Sequence, residues 1–137
     1  MCSVTVGRAT VRRQVRIAVP PDTVWEMVGD PGRVQEWFPG IVASTVEGTT
    51  RQITTGSGVV IPEEIVTNDH LQRRFQYRIT APIVREHLST IDVLDVEDGT
   101  SLVVYAADAD PSTMALVVGG AGGNALKFLR ELLEGVH

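Results

Sequence analysis

Aromatic side chains make up only 5% of this 137-residue chain (two Trp, two Tyr and three Phe), and there is one cysteine, Cys2. A lone thiol excludes an internal disulfide and gives no zinc-binding pattern. Residues 1–10 read as a loose N-terminus, so Cys2 is expected to be a free thiol in a reducing compartment. Positive charge is scarce as well: 12 Lys and Arg stand against 17 Asp and Glu, a net charge of −5. A phosphate-backbone binder needs a dominant positive field, so no nucleic-acid partner is expected. Arg12, Arg13 and Arg16, like Arg73, Arg74 and Arg78, lie on alternating patterns and read as solvated strand faces. Long apolar runs are missing too. Met114 to Ala125 is too short for a bilayer span and is cut by glycines, so no stable membrane insertion is expected. No basic start leads into an apolar signal core. What these absences leave is a soluble, cytoplasmic domain over residues 1–137, long enough to bury a core.

What the chain does contain is unevenly placed. Both tryptophans fall within "PDTVWEMVGDPGRVQEWFPG", residues 21–40. Val11, Arg13, Val15, Ile17 and Val19 alternate as in a strand, which Pro20 and Pro21 stop. A short helix then places Val24, Trp25 and Val28 on one side and ends at Gly29. Asp30 before Pro31 caps a second, turn-length helix that reaches Trp37 and closes at Pro39-Gly40. Trp25 reads as core, whereas Trp37 and Phe38 stand where a cavity mouth would be. From Ile41 to Asp108 six strands alternate with turn signals at Gly48, 56–58, 68–70, 81–82 and 97–99, which implies an antiparallel meander. From Pro111 to Glu134 an apolar stripe runs through Met114, Val117, Val118, Ala121, Ala125, Phe128, Leu129 and Leu132, marking a long helix against one face of the sheet. Four glycines in "GGAGG", 119–123, predict a kink, a break or weak order, and hence a mobile gate carrying Met114 and Val117 over a pocket.

Strand registers sketch that pocket. A hairpin centred on Ser57 pairs Arg51 with Glu63 and Ile53 with Ile61. A turn centred on Asp69 pairs Glu63 with Phe75 and Ile61 with Tyr77. Beyond Pro82, Tyr77 falls beside His87 or Ser89, and Ile91 and Val93 fall beside Val104 and Leu102. The expected inner face is therefore Ile53, Val59, Ile61, Phe75, Tyr77, Ile91, Val93, Leu102 and Val104. Gln52, Glu64, Arg74, Gln76, Arg78 and Asp92 lie on the wet face. Arg51, Glu63, Tyr77, His87 and Ser89 are the polar residues turned inward. They either orient a polar ligand end or satisfy one another, and a structural ion pair is favoured for Arg51 and Glu63. One inward His and one carboxylate fall short of a metal ligand set, so neither metal nor cofactor is expected.

The sequence resembles the polyketide cyclase/dehydrase-like branch of the START/Bet v 1 (SRPBCC) superfamily. The likeness rests on "VPPDTVWEMVGDPGRVQEWFPG", then Arg51, a glycine hairpin, Glu63, "ND" at 68–69, "YRI" at 77–79 and Gly99-Thr100, and spans roughly residues 11–134. The departures are Val104, where members often carry Trp, and the "GGAGG" segment. The resemblance implies an α+β helix-grip: a seven-stranded antiparallel sheet curved around a long C-terminal helix, with two short helices after the first strand. It also implies a pocket for a hydrophobic small molecule, a lipid or a polyketide-like compound.

Three functions fit that reading. A carrier or sensor needs only the cavity and its mouth, with Trp37, Phe38, Ile53, Val59, Ile61, Phe75, Ile91, Val104, Met114 and Val117 around the ligand, and Glu63, Tyr77, His87 and Ser89 at its polar end. An aromatase/cyclase or dehydratase needs acid–base groups, for which Glu63, Tyr77 and His87 are the inward-facing candidates. A protein with a collapsed pocket would act through association with another protein. Nothing in the sequence resembles a nucleophile motif, which favours binding.

Overall fold

The structure, a computed structural model, describes residues 7–135. Cys2 lies outside them, and Ala9 and Thr10, assigned above to a loose terminus, already belong to the first strand. Seven strands, β1 (Ala9–Ile17), β2 (Ile41–Glu47), β3 (Thr50–Thr55), β4 (Val60–Asp69), β5 (Arg74–Ile79), β6 (Glu86–Asp95) and β7 (Ser101–Asp110), form one antiparallel sheet in the order β1-β7-β6-β5-β4-β3-β2. Between β1 and β2 run α1 (Pro21–Val28), a tight turn at Pro31–Arg33 and α2 (Val34–Trp37). The Asp30 carboxylate accepts the Gly32 amide and starts that turn. α3 (Ser112–Glu134) crosses the inner face against β1 and β7. The helix-grip expected from the sequence is the fold observed.

The outer face carries its charges in cross-strand pairs. Arg74 meets Asp92 at 2.7 Å and Arg78 meets Glu64 at 2.7 Å, both partly exposed. Inside, Val24, Trp25, Val28 and Trp37 pack with Ile53, Phe75, Ile91, Val103, Tyr105 and Leu129 into a continuous core. The Trp25 indole N–H is satisfied by His70 Nδ1 at 2.9 Å, which ties α1 to the turn after β4.

The β3–β4 register is as expected, with Arg51 opposite Glu63 and Ile53 opposite Ile61. Tyr77 falls opposite Ser89, one of its two expected partners, but the β4–β5 and β6–β7 pairings differ. β4 runs to Asp69, whose carboxylate accepts the Leu71 and Gln72 amides, and Arg73 takes φ 56°, so the turn sits later than Asp69. Glu63 therefore faces Ile79 and Ile65 faces Tyr77; a bulge after Ile65 then puts Asn68 opposite Phe75. In the β6–β7 connection Glu97 (φ 65°) and Gly99 (φ 82°) shift the pairing by one residue, giving Ile91 opposite Tyr105 and Val93 opposite Val103. A one-residue slip exchanges the two faces of a strand. Val104 and Leu102 are consequently on the outer face, and Val103, Tyr105 and Ala107 point inward. Val59 also departs from expectation: it stands beyond the end of β4, next to Gly58 at φ 90°, and is 55% exposed.

α3 is one uninterrupted helix through Gly119–Gly123. Its buried line is Ala115, Val118, Gly119, Gly122, Ala125, Leu126 and Leu129, rotated from the stripe read above; Val117, Phe128 and Leu132 are exposed. The glycines explain the rotation. A Cβ at Gly119 would meet Val11 at 2.5 Å, one at Gly122 would meet the Tyr105 ring at 2.6 Å, and one at Gly123 would meet Arg13 at 3.2 Å. The glycine side of the helix is the side pressed onto the sheet, not a break in it.

Candidate functional site

Between the concave face of the sheet, α2 and the first half of α3 lies a cavity of about 600 Å³. Of the residues singled out from the sequence, Trp37, Phe38, Ile53, Ile61, Phe75 and Ile91 form its apolar wall, and Met114 and Val117 border it from α3. Glu63 and Tyr77 supply polar atoms. Ser89 is fully buried, and His87 is 95% buried and lines a separate surface groove with Arg85 and Thr80, so neither forms the cavity wall. Val59 and Val104 do not line it either, for the register reasons given above. Arg51 and Tyr105 do. Tyr105 was missed because both faces of β7 read as apolar: Leu102, Val104 and Ala106 on one, Val103, Tyr105 and Ala107 on the other.

The mouth lies at one end of the sheet. Pro39-Gly40 after α2, Gly56-Ser57 at the β3–β4 tip, Ile83 in the β5–β6 loop and Val117 on α3 surround it. The Gly56 amide donates to the Gly40 carbonyl at 2.9 Å and joins two of these segments. Gly40 sits at φ 92°, a conformation that glycine adopts without strain.

The cavity wall includes a buried ion pair, Arg51 with Glu63. Arg51 Nε donates to Glu63 Oε1 at 2.7 Å, and the two residues are 3% and 4% exposed. Arg51 Nη1 also reaches the Pro31 carbonyl at 3.2 Å. Its guanidinium lies 5.3 Å from the Phe75 ring centre and 5.1 Å from that of Tyr77. Burial raises the Glu63 pKa, while the charge and hydrogen bond of Arg51 pull it the other way. This is the structural ion pair favoured from the sequence.

Tyr77 and His87 do not satisfy each other, although their rings stand 5.5 Å apart. The Tyr77 hydroxyl instead bonds to that of Tyr105. Ser89 Oγ is 2.7 Å from His87 Nε2, and His87 Nδ1 accepts the Ile79 amide at 2.8 Å. That amide needs a side-chain partner because the β5–β6 ladder stops at Tyr77 and Ser89. An accepting Nδ1 on a neutral ring places the proton on Nε2, which then donates to Ser89. The two phenols carry two hydrogens but share one hydrogen bond, so one phenolic O–H is left over, and both tyrosines line the cavity. Both phenols stay protonated: burial, reinforced by the charge of Glu63, pushes Tyr77 up to about 12, and burial pushes Tyr105 well above 10.

Burial also pushes the His87 imidazole down to about 4, with Asp108 acting weakly in the opposite direction. In the unfolded chain an imidazole titrates near 6.5, so as pH falls from about 6.5 to about 4 the unfolded state takes up the proton first and His87 removes stability. Its contribution over that window should be about 3 kcal/mol. Glu63, whose pKa is raised, works with the opposite sign but is common to both proteins in a comparison of wild type with His87→Gln. Urea denaturation across the window should give a flatter pH dependence for the variant; parallel curves would show that His87 is not buried neutral.

The polyketide cyclase/dehydrase and lipid transport family matches residues 8–137. No curated protein matches the sequence. Among solved structures, an uncharacterized protein from Bacillus thuringiensis is 27% identical, with 92% of this chain and 99% of that one covered and a TM-score of 0.84. The protein XoxI from Bacillus cereus is 26% identical, with 93% and 96% covered and a TM-score of 0.82. The Zhui aromatase/cyclase from a Streptomyces species shares the fold at 18% identity, with 93% and 94% covered and a TM-score of 0.79. With the family match running from the first strand to the last helix, this chain belongs to the polyketide cyclase/dehydrase and lipid transport family.

Proposed function

We propose that this protein is a cytoplasmic carrier or sensor that holds a hydrophobic small molecule, a lipid or a polyketide-like compound, in the cavity under α3. The observation that carries the reading is the cavity itself: about 600 Å³, walled mainly by aliphatic and aromatic side chains, with few polar residues among them. The ligand's apolar body lies against Ile53, Ile61, Phe75 and Ile91, and a carbonyl or hydroxyl oxygen accepts the free phenolic hydrogen of the Tyr77–Tyr105 pair. Trp37, Phe38, Met114 and Val117 close over it.

The likeness to an aromatase/cyclase raises the enzymatic alternative, in which Glu63, Tyr77 and His87 would supply acid–base chemistry. Three features weigh against it. Glu63 is held by Arg51, Tyr77 gives up its proton only near 12, and His87 is spent on Ile79 and Ser89 away from the cavity wall. A general acid or base works best with a pKa near the operating pH.

The test uses N-phenyl-naphthylamine, an uncharged fluorescent probe. Its emission should rise on binding, with quenching of Trp37. Ala121 borders the cavity from α3, so Ala121→Phe should fill part of it and weaken the probe by about tenfold while leaving the melting temperature within a few degrees. Equal probe affinity in both proteins would place the probe elsewhere and sink the reading.

A further inference from the structure

The 12 Lys and Arg and 17 Asp and Glu residues avoid one end of the molecule. None lies in residues 38–46, 53–62, 79–84 or 111–126, which together make up about three-tenths of the chain. These segments are far apart in sequence, but the antiparallel order brings parts of all four to one place. They include the start of β2, the β3–β4 tip, the loop leaving β5 and the start of α3, the same segments that surround the cavity mouth. They also hold six of the eleven exposed large hydrophobic side chains among the described residues: Val42, Val59, Val60, Ile83, Leu116 and Val117, each at least half exposed. At its border Arg85 pairs with Asp110, and Arg8 with Glu86 and Asp108, two cations against three carboxylates.

We infer that this uncharged, aliphatic end is a docking surface for the interface of a lipid bilayer, seated reversibly so that the cavity mouth opens onto the acyl chains. The inference rests on the cavity reading above and adds where the ligand enters. Exposed aliphatics around an opening stabilise shallow insertion in proportion to the apolar area they bury. An acidic carrier protein would call for a basic patch, and this end has none. A second copy of the chain is the poorer fit, because two concave mouths set face to face would leave a void where contact should be, whereas a fluid surface conforms. With no cationic contribution at the surface and a net charge of −5, anionic lipid should not strengthen binding.

Flotation with phosphatidylcholine vesicles tests this, with N-phenyl-naphthylamine binding measured in vesicle-free solution beside it. The protein should float with the vesicles, equally at low and high salt and no better when phosphatidylglycerol is added. Leu116→Glu and Val42→Glu, exposed positions outside the cavity wall, should each weaken flotation by about tenfold and leave probe binding unchanged. Leu71→Glu, 92% exposed at the opposite end of the sheet, should change neither. Probe binding without flotation overturns the docking surface while the cavity reading stands. So does flotation that needs anionic lipid, or a dimer in sedimentation that the two glutamates dissociate. Flotation without probe binding overturns the cavity reading alone.

Discussion

Arg51→Ala is expected to destabilise the protein by about 3–5 kcal/mol at neutral pH, the usual consequence of removing one partner of a buried ion pair. The substitution strands the Glu63 carboxylate at 4% exposure, leaves the Pro31 carbonyl without its side-chain donor, and empties the space beside Phe75 and Tyr77. The pH dependence identifies the cause. Burial already raises the Glu63 pKa, and without Arg51 nothing offsets it. A carboxyl with a raised folded pKa binds its proton more readily in the native state, so the deficit should shrink as pH falls from about 7 to about 5. Arg51→Met combined with Glu63→Leu removes both charges and should recover most of the loss. Guanidinium denaturation of the three proteins reads these differences. An Arg51→Ala variant as stable as wild type would mean that the pair is solvated and free to serve a ligand.

The Arg51–Glu63 pairing could be read from the sequence because its hairpin is set by a short, glycine-marked turn centred on Ser57. Tyr77 opposite Ser89 was readable too, but the β4–β5 and β6–β7 registers were not. The β4–β5 turn depends on the Asp69 carboxylate folding back onto Leu71 and Gln72, and on Arg73 adopting a positive φ, which hydrophobic alternation does not report. In β7 the alternation itself is ambiguous. Val103, Tyr105 and Ala107 make as apolar a face as Leu102, Val104 and Ala106, and only the conformations of Glu97 and Gly99 decide between them. That single residue of slip separated Tyr105 from the expected site and put Val104 into it. His87 and Ser89 were placed correctly as buried residues on the inner side, but their partners depend on where the β5–β6 ladder ends. The order of elements and the inward faces of β3, β5 and β6 follow from periodicity, whereas the face of β7, and with it Tyr105, depended on loop geometry that had to be seen.

Gly122→Val should cost about 3 kcal/mol, and Gly122→Ala less, against the ordinary expectation that replacing a helical glycine stabilises. Intrinsic propensity favours Ala over Gly by about 1 kcal/mol inside a helix. At Gly122 that gain is outweighed, because the new Cβ would lie 2.6 Å from the Tyr105 ring. The ring has little room to yield: its hydroxyl is held by Tyr77, and Phe38 stands 6.3 Å away across the cavity. Either α3 lifts from β7 or Tyr105 is driven toward the cavity, and in both cases packing is lost. Gly120 supplies the control, since a Cβ there meets nothing within 4 Å and Gly120→Ala should stabilise by about 0.5–1 kcal/mol. Opposite signs at positions two residues apart, on nearly opposite faces of the same helix, separate contact from propensity. Thermal melts should show Gly120→Ala above wild type and the Gly122 series falling with side-chain size, with N-phenyl-naphthylamine affinity falling only in the Gly122 series. If Gly122→Val melts with wild type, α3 does not rest on Tyr105, and the cavity wall drawn from that contact is wrong.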